Sequence, residues 1–216
     1  MVLEEHRKRQ GLEVLSALCP LALTASSDQW RIAAVGTVCA TIGDNELGVF
    51  NMSGKLLLIM LTFVGSISSA YGIKIAAALG AGDGELAGNE HHLPVSRWNY
   101  PSGHNLDYAL YTRQLGKIFT TNTVFLDIFE SVNIPFASMM IWMNLSASFS
   151  LLFGSMGRAD IVLKLGLIGS WVGQVPAVLI AVYLSKDIAS VYLGVSFGYF
   201  LLCVLYTILL INVDWN

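Results

Sequence analysis

Charged side chains are scarce in this sequence of 216 residues: Asp, Glu, Lys and Arg make up 12% of it, against about 25% in an average soluble domain. Basic residues are fewer than acidic ones, 12 against 15, so no basic surface for nucleic acid is expected. The three cysteines, Cys19, Cys39 and Cys203, lie singly in apolar stretches, which predicts small core residues rather than disulfides or a CxxC site. These scarcities exclude a disordered chain, a nucleic-acid-binding domain and an ordinary soluble enzyme.

Long apolar runs are what the sequence has instead. Hydrophobic residues make up 55% of the chain, and its mean hydropathy is +0.63. A helix that crosses a bilayer needs about 20 apolar residues. Four runs without a charged residue approach or exceed that length: 56–73, 131–157, 165–185 and 188–213. Each predicts a transmembrane helix.

A fifth transmembrane helix is expected over about 14–43. This stretch is apolar at both ends and polar in the middle, from Ser26 to Arg31. A helix satisfies the backbone locally at membrane depth, and the polar cluster can face a cavity. The predicted fold class is therefore all-α, a polytopic transmembrane helix bundle of about five spans.

The spans divide the chain into three parts. Residues 1–84 hold the first two transmembrane helices and a Gly-rich turn, 85–123 form a polar loop, and 124–216 hold three transmembrane helices. The loop contains three histidines without an acidic or cysteine partner at a convincing spacing, so no metal site or cofactor is expected there. These are His91, His92 and His104. No HExxH or GxSxG motif and no paired intramembrane acids appear, so we do not expect an enzyme.

Three parts of the sequence carry a resemblance to a known family. They are CPLALTASSDQWRIAAVGTVCATIG at 19–43, SISSAYGIKIAAALGAGDGELA at 66–87, and a scattered set: FTTN at 119–122, GSMGR at 154–158, GSWVG at 169–173 and DW at 214–215. Together they resemble the C-terminal half of the multidrug and toxic compound extrusion (MATE) transporters, the seventh to twelfth helices. The resemblance implies half of a twelve-helix secondary active antiporter that exports organic cations or xenobiotics in exchange for H⁺ or Na⁺.

Two departures from that family stand out. The chain has no counterpart of the first half, and no ninth helix follows residue 87, where the stretch 85–117 stands instead. We expect a truncated or mis-assembled gene product that lacks one helix, with 88 to about 104 as foreign sequence. A missing N-terminal half is then a partner to consider.

Asp28 is the strongest candidate for a residue that binds the coupling cation or the substrate. A charged side chain at the centre of a membrane helix costs about 2.5–3.5 kcal/mol on insertion scales, and burial disfavours the ionised form of a carboxylate. Such a group can carry a proton or pair with a cationic substrate. The resemblance implies that the acid at this place of the seventh helix, followed by the aromatic Trp30, takes part in cation coupling or substrate binding. Arg31 lies three residues on, so a local ion pair is the alternative, and the two roles are compatible.

Asn144 is the second candidate. Members of the family often carry a further acid in the tenth helix, and the corresponding run here has none. An amide can coordinate Na⁺ or hydrogen-bond a substrate, although it cannot carry a proton. Alternatively, Asn144 bonds only to a neighbouring helix.

Two other functions stay open. A related flippase for lipid-linked saccharides would want several basic groups in its spans, and these offer only Arg31. A fragment that is inactive, or that works only beside a partner, is the other. In every case we expect a multi-pass integral membrane protein of the plasma membrane or of a vacuolar or other organelle membrane. Its partners would be the lipid bilayer and a small amphipathic or cationic substrate.

Overall fold

The computed structural model describes residues 2–82, 114, 116–118 and 120–212, and this part of the chain is built from six helices. They are α1 (Val2–Ala40), α2 (Asp44–Gly80), α3 (Thr123–Ser131), α4 (Asn133–Ser155), α5 (Ala159–Ser185) and α6 (Ile188–Ile211). The all-α fold class is confirmed. Most of the polar loop at 85–123, with its three histidines and the segment expected to be foreign, lies outside the described residues.

Within the described residues, four helices are long and apolar enough to cross a membrane: α2 up to Ala78, α4, α5 and α6. Helices α2 and α5 contain the whole of their runs without charge, and α4 and α6 contain all but the outermost residues of theirs. These four predicted helices are therefore confirmed. Helix α1 continues unbroken through the polar stretch 26–31, as expected. It is not among the four apolar helices, and its role as a fifth span stays a prediction.

Helix α5 changes its winding halfway. It is α-helical over Ala159–Leu167, π-helical over Ile168–Gln174 and α-helical again over Val175–Ser185. Pro176 is the second residue after the π-helical turn. Its ring has no N–H and crowds the carbonyl four residues earlier in an α-helix. A wider turn at this point relieves that conflict, and it rotates the side chains that precede the proline.

The helices pack around two separate hydrophobic clusters. The first contains Val35 and Cys39 of α1, Met52 of α2, Phe136 and Met140 of α4, Val178 of α5 and Tyr192 of α6. The second contains Ile75 of α2, Phe149 and Phe153 of α4, Val162 of α5, and Leu202, Cys203 and Tyr206 of α6. Cys39 and Cys203 are therefore core residues, as predicted. Cys19 is exposed, so its prediction as a core residue was wrong.

Polar residues lie near the level between these two clusters in the five long helices, α1, α2, α4, α5 and α6. We call this set the central polar layer. It consists of Ser27 and Arg31 of α1, Ser68 of α2, Asn144 and Ser148 of α4, Ser170 and Gln174 of α5, and Ser196 and Tyr199 of α6. All but Ser148 and Tyr199 are buried. The fold thus places most of the buried polar groups of its described residues midway along the bundle, with apolar packing on either side.

Candidate functional site

Asp28 and Arg31 form an ion pair at the edge of the central polar layer. Arg31 Nη2 lies 3.3 Å from Asp28 Oδ1, one helical turn earlier on α1. The two side chains differ sharply in exposure, 6% for Arg31 and 48% for Asp28. The cation is therefore enclosed by the bundle, while the carboxylate remains accessible from outside the bundle.

Arg31 has two further hydrogen-bond partners, on helices that are far from α1 in the sequence. Its Nη1 donates to Gln174 Oε1 of α5 at 2.5 Å, and its Nη2 donates to the Tyr199 hydroxyl of α6 at 3.0 Å. The guanidinium also lies over the Tyr199 ring, 5.3 Å from the centroid, a cation–π distance. A buried guanidinium needs such acceptors, because removing one partner of a buried charge is strongly destabilising. One donor, Arg31 Nε, has no partner among the described residues.

Gln174 owes its position to a close approach of α5 and α6. Its Nε2 donates to the carbonyl oxygen of Val195 at 3.0 Å. A Cβ added at Gly198 would lie 2.4 Å from Gln174 Cβ and 2.6 Å from its Cα, so only glycine fits there. Gly194 is packed as closely against Val178. The two glycines form a GxxxG motif, the pattern that lets membrane helices approach closely.

A tryptophan also reaches the polar stretch of α1, but it is not the expected one. Trp171, in the π-helical turn of α5, donates its Nε1–H to Ser27 Oγ at 2.8 Å. Trp30, which the sequence suggested as a site residue, is 65% exposed. The structure thus brings Asp28 and Arg31 together and turns Trp30 outward.

Asn144 is buried in α4, with 1% of its surface exposed. Within the described part of the chain, neither its Oδ1 nor its Nδ2 has a hydrogen-bond partner, so the expected bond to a neighbouring helix is not formed there. One turn further on, Ser148 Oγ donates to the main-chain oxygen of Asn144 and shares a 3.0 Å hydrogen bond with Ser68 Oγ of α2. A buried amide without a hydrogen-bond partner lowers the free energy of unfolding by about 1–3 kcal/mol. Asn144 is therefore a position where a polar side chain calls for an explanation other than stability.

The residues that the structure describes contain no group of three or more His, Cys, Asp or Glu that could hold a metal ion. The chemistry of the site is that of charge pairing. A buried permanent cation and a half-exposed carboxylate make a neutral pair, whose carboxylate can still meet a second cation on its outer side.

Gln174 and Tyr199 are the site residues that sequence analysis missed. Both lie in apolar runs that were interpreted simply as spans. A lone glutamine in such a run and the GVSFG motif at 194–198 are signals that could have been used.

Comparison with known proteins identifies the fold. No protein-family model matches the chain, and no curated protein matches it in sequence. Solved structures do match. A mutant of the Vibrio cholerae MATE transporter VcmN superposes with a TM-score of 0.85 at 12% identity, covering 96% of this chain and 48% of its own. The eukaryotic MATE transporter AtDTX14 gives 0.81 at 18% identity, with 94% and 46% covered.

A third match is an outward-facing multidrug resistance MATE family transporter of the MOP superfamily. It has a TM-score of 0.81 at 17% identity and covers 88% of this chain and 44% of its own. The chain thus spans about half the length of the structures it matches. That the matched half is the C-terminal one stays a prediction from residues 19–43 and 66–87. The described helices therefore have the fold of one half of a MATE transporter.

Proposed function

We propose that the chain works as half of a secondary active antiporter that exports organic cations or other amphipathic xenobiotics in exchange for H⁺ or Na⁺. The observation that carries this proposal is Asp28: within a MATE fold, its carboxylate lies beside a buried polar layer and is still half-exposed. Transporters bind substrate and coupling ion near the middle of the membrane, between bundles that rock against each other.

Asp28 supplies what exchange requires, a single negative group that two cations compete for. When the coupling cation neutralises the carboxylate, a cationic substrate loses its partner and leaves. When the substrate occupies the carboxylate, the coupling cation is kept off. Mutual exclusion lets each cation displace the other from the carboxylate, and this competition is the basis of exchange.

Asn144 and Trp30 are assigned supporting roles. The amide of Asn144 has no hydrogen-bond partner in the described part of the chain. It can donate a hydrogen bond to a polar group of the substrate, accept one from it, or ligate Na⁺ through its oxygen. The exposed indole of Trp30 can contact an organic cation through its aromatic face, but on another side of α1 than Asp28, because residues two apart in a helix do not face each other.

The test compares Asp28→Asn with Asp160→Asn in purified chain reconstituted into liposomes. Asp160 is an exposed acid paired with Lys164 near the start of α5, away from the polar layer, so it is a matched control. We expect Asp28→Asn to lower the affinity for tetraphenylphosphonium by at least about tenfold, since a charge pair at about 4 Å is worth several kcal/mol at an intermediate dielectric constant. Competition by H⁺ or Na⁺ should vanish with it.

Measuring exchange under an imposed ion gradient, together with binding, distinguishes an antiporter from the two alternatives, a partner-dependent fragment and a flippase. Cation binding that depends on Asp28, without exchange by the chain alone, would point to a fragment that needs a partner half. Binding of a lipid-linked saccharide in place of the cation would point to a flippase. Unchanged cation binding in Asp28→Asn would overturn the proposal.

A further inference from the structure

The guanidinium of Arg31 lies closer to its neutral partners than to its charged one. Its Nη1 bonds to Gln174 Oε1, and its Nη2 lies 3.0 Å from the Tyr199 hydroxyl but 3.3 Å from Asp28 Oδ1. Hydrogen bonds between a guanidinium and a carboxylate usually measure about 2.7–2.9 Å and are often bidentate. Here the ion pair is longer and has a single bond. The guanidinium is therefore drawn away from Asp28, toward α5 and α6.

The two neutral partners are fixed by the fold. The amide of Gln174 donates through Nε2 to Val195, so its Oε1 is the atom left to face Arg31. Tyr199 packs against both hydrophobic clusters, which fixes its ring and its hydroxyl. Neither side chain changes charge when a cation binds to Asp28. They keep holding the guanidinium whatever the state of that carboxylate.

We propose that Gln174 and Tyr199 are positioning residues, which hold Arg31 partly off Asp28 and so keep the carboxylate available to the transported cation. This inference rests on the proposed function of Asp28. Without these two acceptors, Arg31 would close onto Asp28 with two bonds, and an arriving cation would have to break them.

The difference in exposure sets the direction of approach. The buried guanidinium holds the inner side of the Asp28 carboxylate, and the exposed side is free for a ligand. A cation bound there lies on the far side of the carboxylate from Arg31, which limits repulsion between the two positive charges. The arrangement suits an organic cation whose charge contacts one carboxylate oxygen.

The test uses two substitutions of Gln174 that should act in opposite directions. Gln174→Leu removes the acceptor, lets Arg31 close onto Asp28 and should weaken tetraphenylphosphonium binding by about tenfold, the equivalent of one hydrogen bond to a charged group. Gln174→Glu adds a second carboxylate that draws Arg31 further away from Asp28, and should raise the affinity for tetraphenylphosphonium several-fold. Tyr199→Phe keeps the ring but loses the hydroxyl, and should weaken binding less than Gln174→Leu.

Binding is measured on the full chain in nanodiscs, beside the uncharged probe N-phenyl-1-naphthylamine, whose affinity should not change. Tyr206→Phe is the matched control, because it removes a hydroxyl of α6 that bonds to Ser150 and not to Arg31. If Gln174→Leu and Gln174→Glu weaken both probes alike, the role of Gln174 is structural and the inference is wrong.

Failure of this inference can be told apart from failure of the proposed function. If Asp28→Asn abolishes cation binding while the variants of Gln174 and Tyr199 bind like the wild type, only the positioning role is overturned. If Asp28→Asn binds the cation normally, both proposals fall. Should Gln174→Leu not fold, Gln174→Glu and Tyr199→Phe still predict different shifts.

Discussion

Replacing Gly198 by alanine should separate α5 from α6 and destabilise the chain. The new Cβ would lie 2.4 Å from Gln174 Cβ, 2.6 Å from its Cα and 2.9 Å from its backbone nitrogen. Non-bonded carbon atoms prefer about 3.5–4.0 Å, so one helix has to move by roughly an ångström. Backbone atoms are among those contacted, and a rotamer change cannot relieve the overlap.

The expected size of the effect is the sum of two opposing terms. Alanine is a better helix former than glycine by up to about 1 kcal/mol, which favours the substitution. Overpacking a close contact costs typically about 1–3 kcal/mol and occasionally more. The second term wins at Gly198. Gly65 of α2 provides the control: a Cβ there meets nothing within 4 Å, so only the favourable term applies.

Thermal unfolding of the detergent-solubilised chain, followed by tryptophan fluorescence, measures both variants. For a chain of this length, each kcal/mol shifts Tm by about 2–4 °C. With the gain of about 1 kcal/mol subtracted from the upper part of the overpacking range, the net loss is about 1–2 kcal/mol. We therefore expect Gly198→Ala to melt roughly 2–8 °C below the wild type and Gly65→Ala at or slightly above it. If Gly198→Ala melts as high as Gly65→Ala, the close contact between α5 and α6 is refuted, and with it the placement of Gln174.

Further predictions concern buried polar groups. Asn144→Leu should raise the free energy of unfolding by about 1–3 kcal/mol, since it removes an amide with no partner among the described residues. It should also lower any cation binding to which Asn144 contributes. Chemical denaturation and the binding assay measure the two effects, and a destabilised Asn144→Leu would contradict the absence of a partner for this amide. Ser53→Ala should cost about 1–3 kcal/mol, because it deprives the fully buried Tyr192 hydroxyl of its 2.8 Å hydrogen bond. Adding Tyr192→Phe should recover part of that loss in the same denaturation assay, and a double mutant no more stable than Ser53→Ala would argue against the bond.

The apolar helices could be predicted from the sequence because lipid imposes one simple requirement. A stretch at membrane depth must be both apolar and helical, so runs without charge mark α2, α4, α5 and α6 directly. The same reasoning predicted that α1 stays helical through its polar middle. The spacing of Asp28 and Arg31 also allowed for their ion pair, since residues three apart share a helix face.

The rest of the site depends on contacts that local patterns do not contain. Arg31 meets Gln174 and Tyr199 across 143 and 168 residues of chain, and composition gives no register for helices so far apart. The π-helical turn was not predicted either, because its sequence is as apolar as an ordinary helix. Only the glycines at 194 and 198 and the proline at 176 hint that α5 and α6 meet closely beside a distorted turn.

The partners of Arg31 also have a consequence for how the protein is made. Helix α1, which the sequence predicts as a fifth span, carries a charged pair, and a charged side chain at the centre of a bilayer costs about 2.5–3.5 kcal/mol. It leaves the ribosome first of the six described helices. Gln174 is synthesised 143 residues after Arg31. At about 5–20 residues per second, α1 waits roughly 7–30 s for its first distant acceptor. As a span, α1 is therefore expected to stay at the insertion machinery or the membrane surface until then, so that the last two helices complete its stable integration.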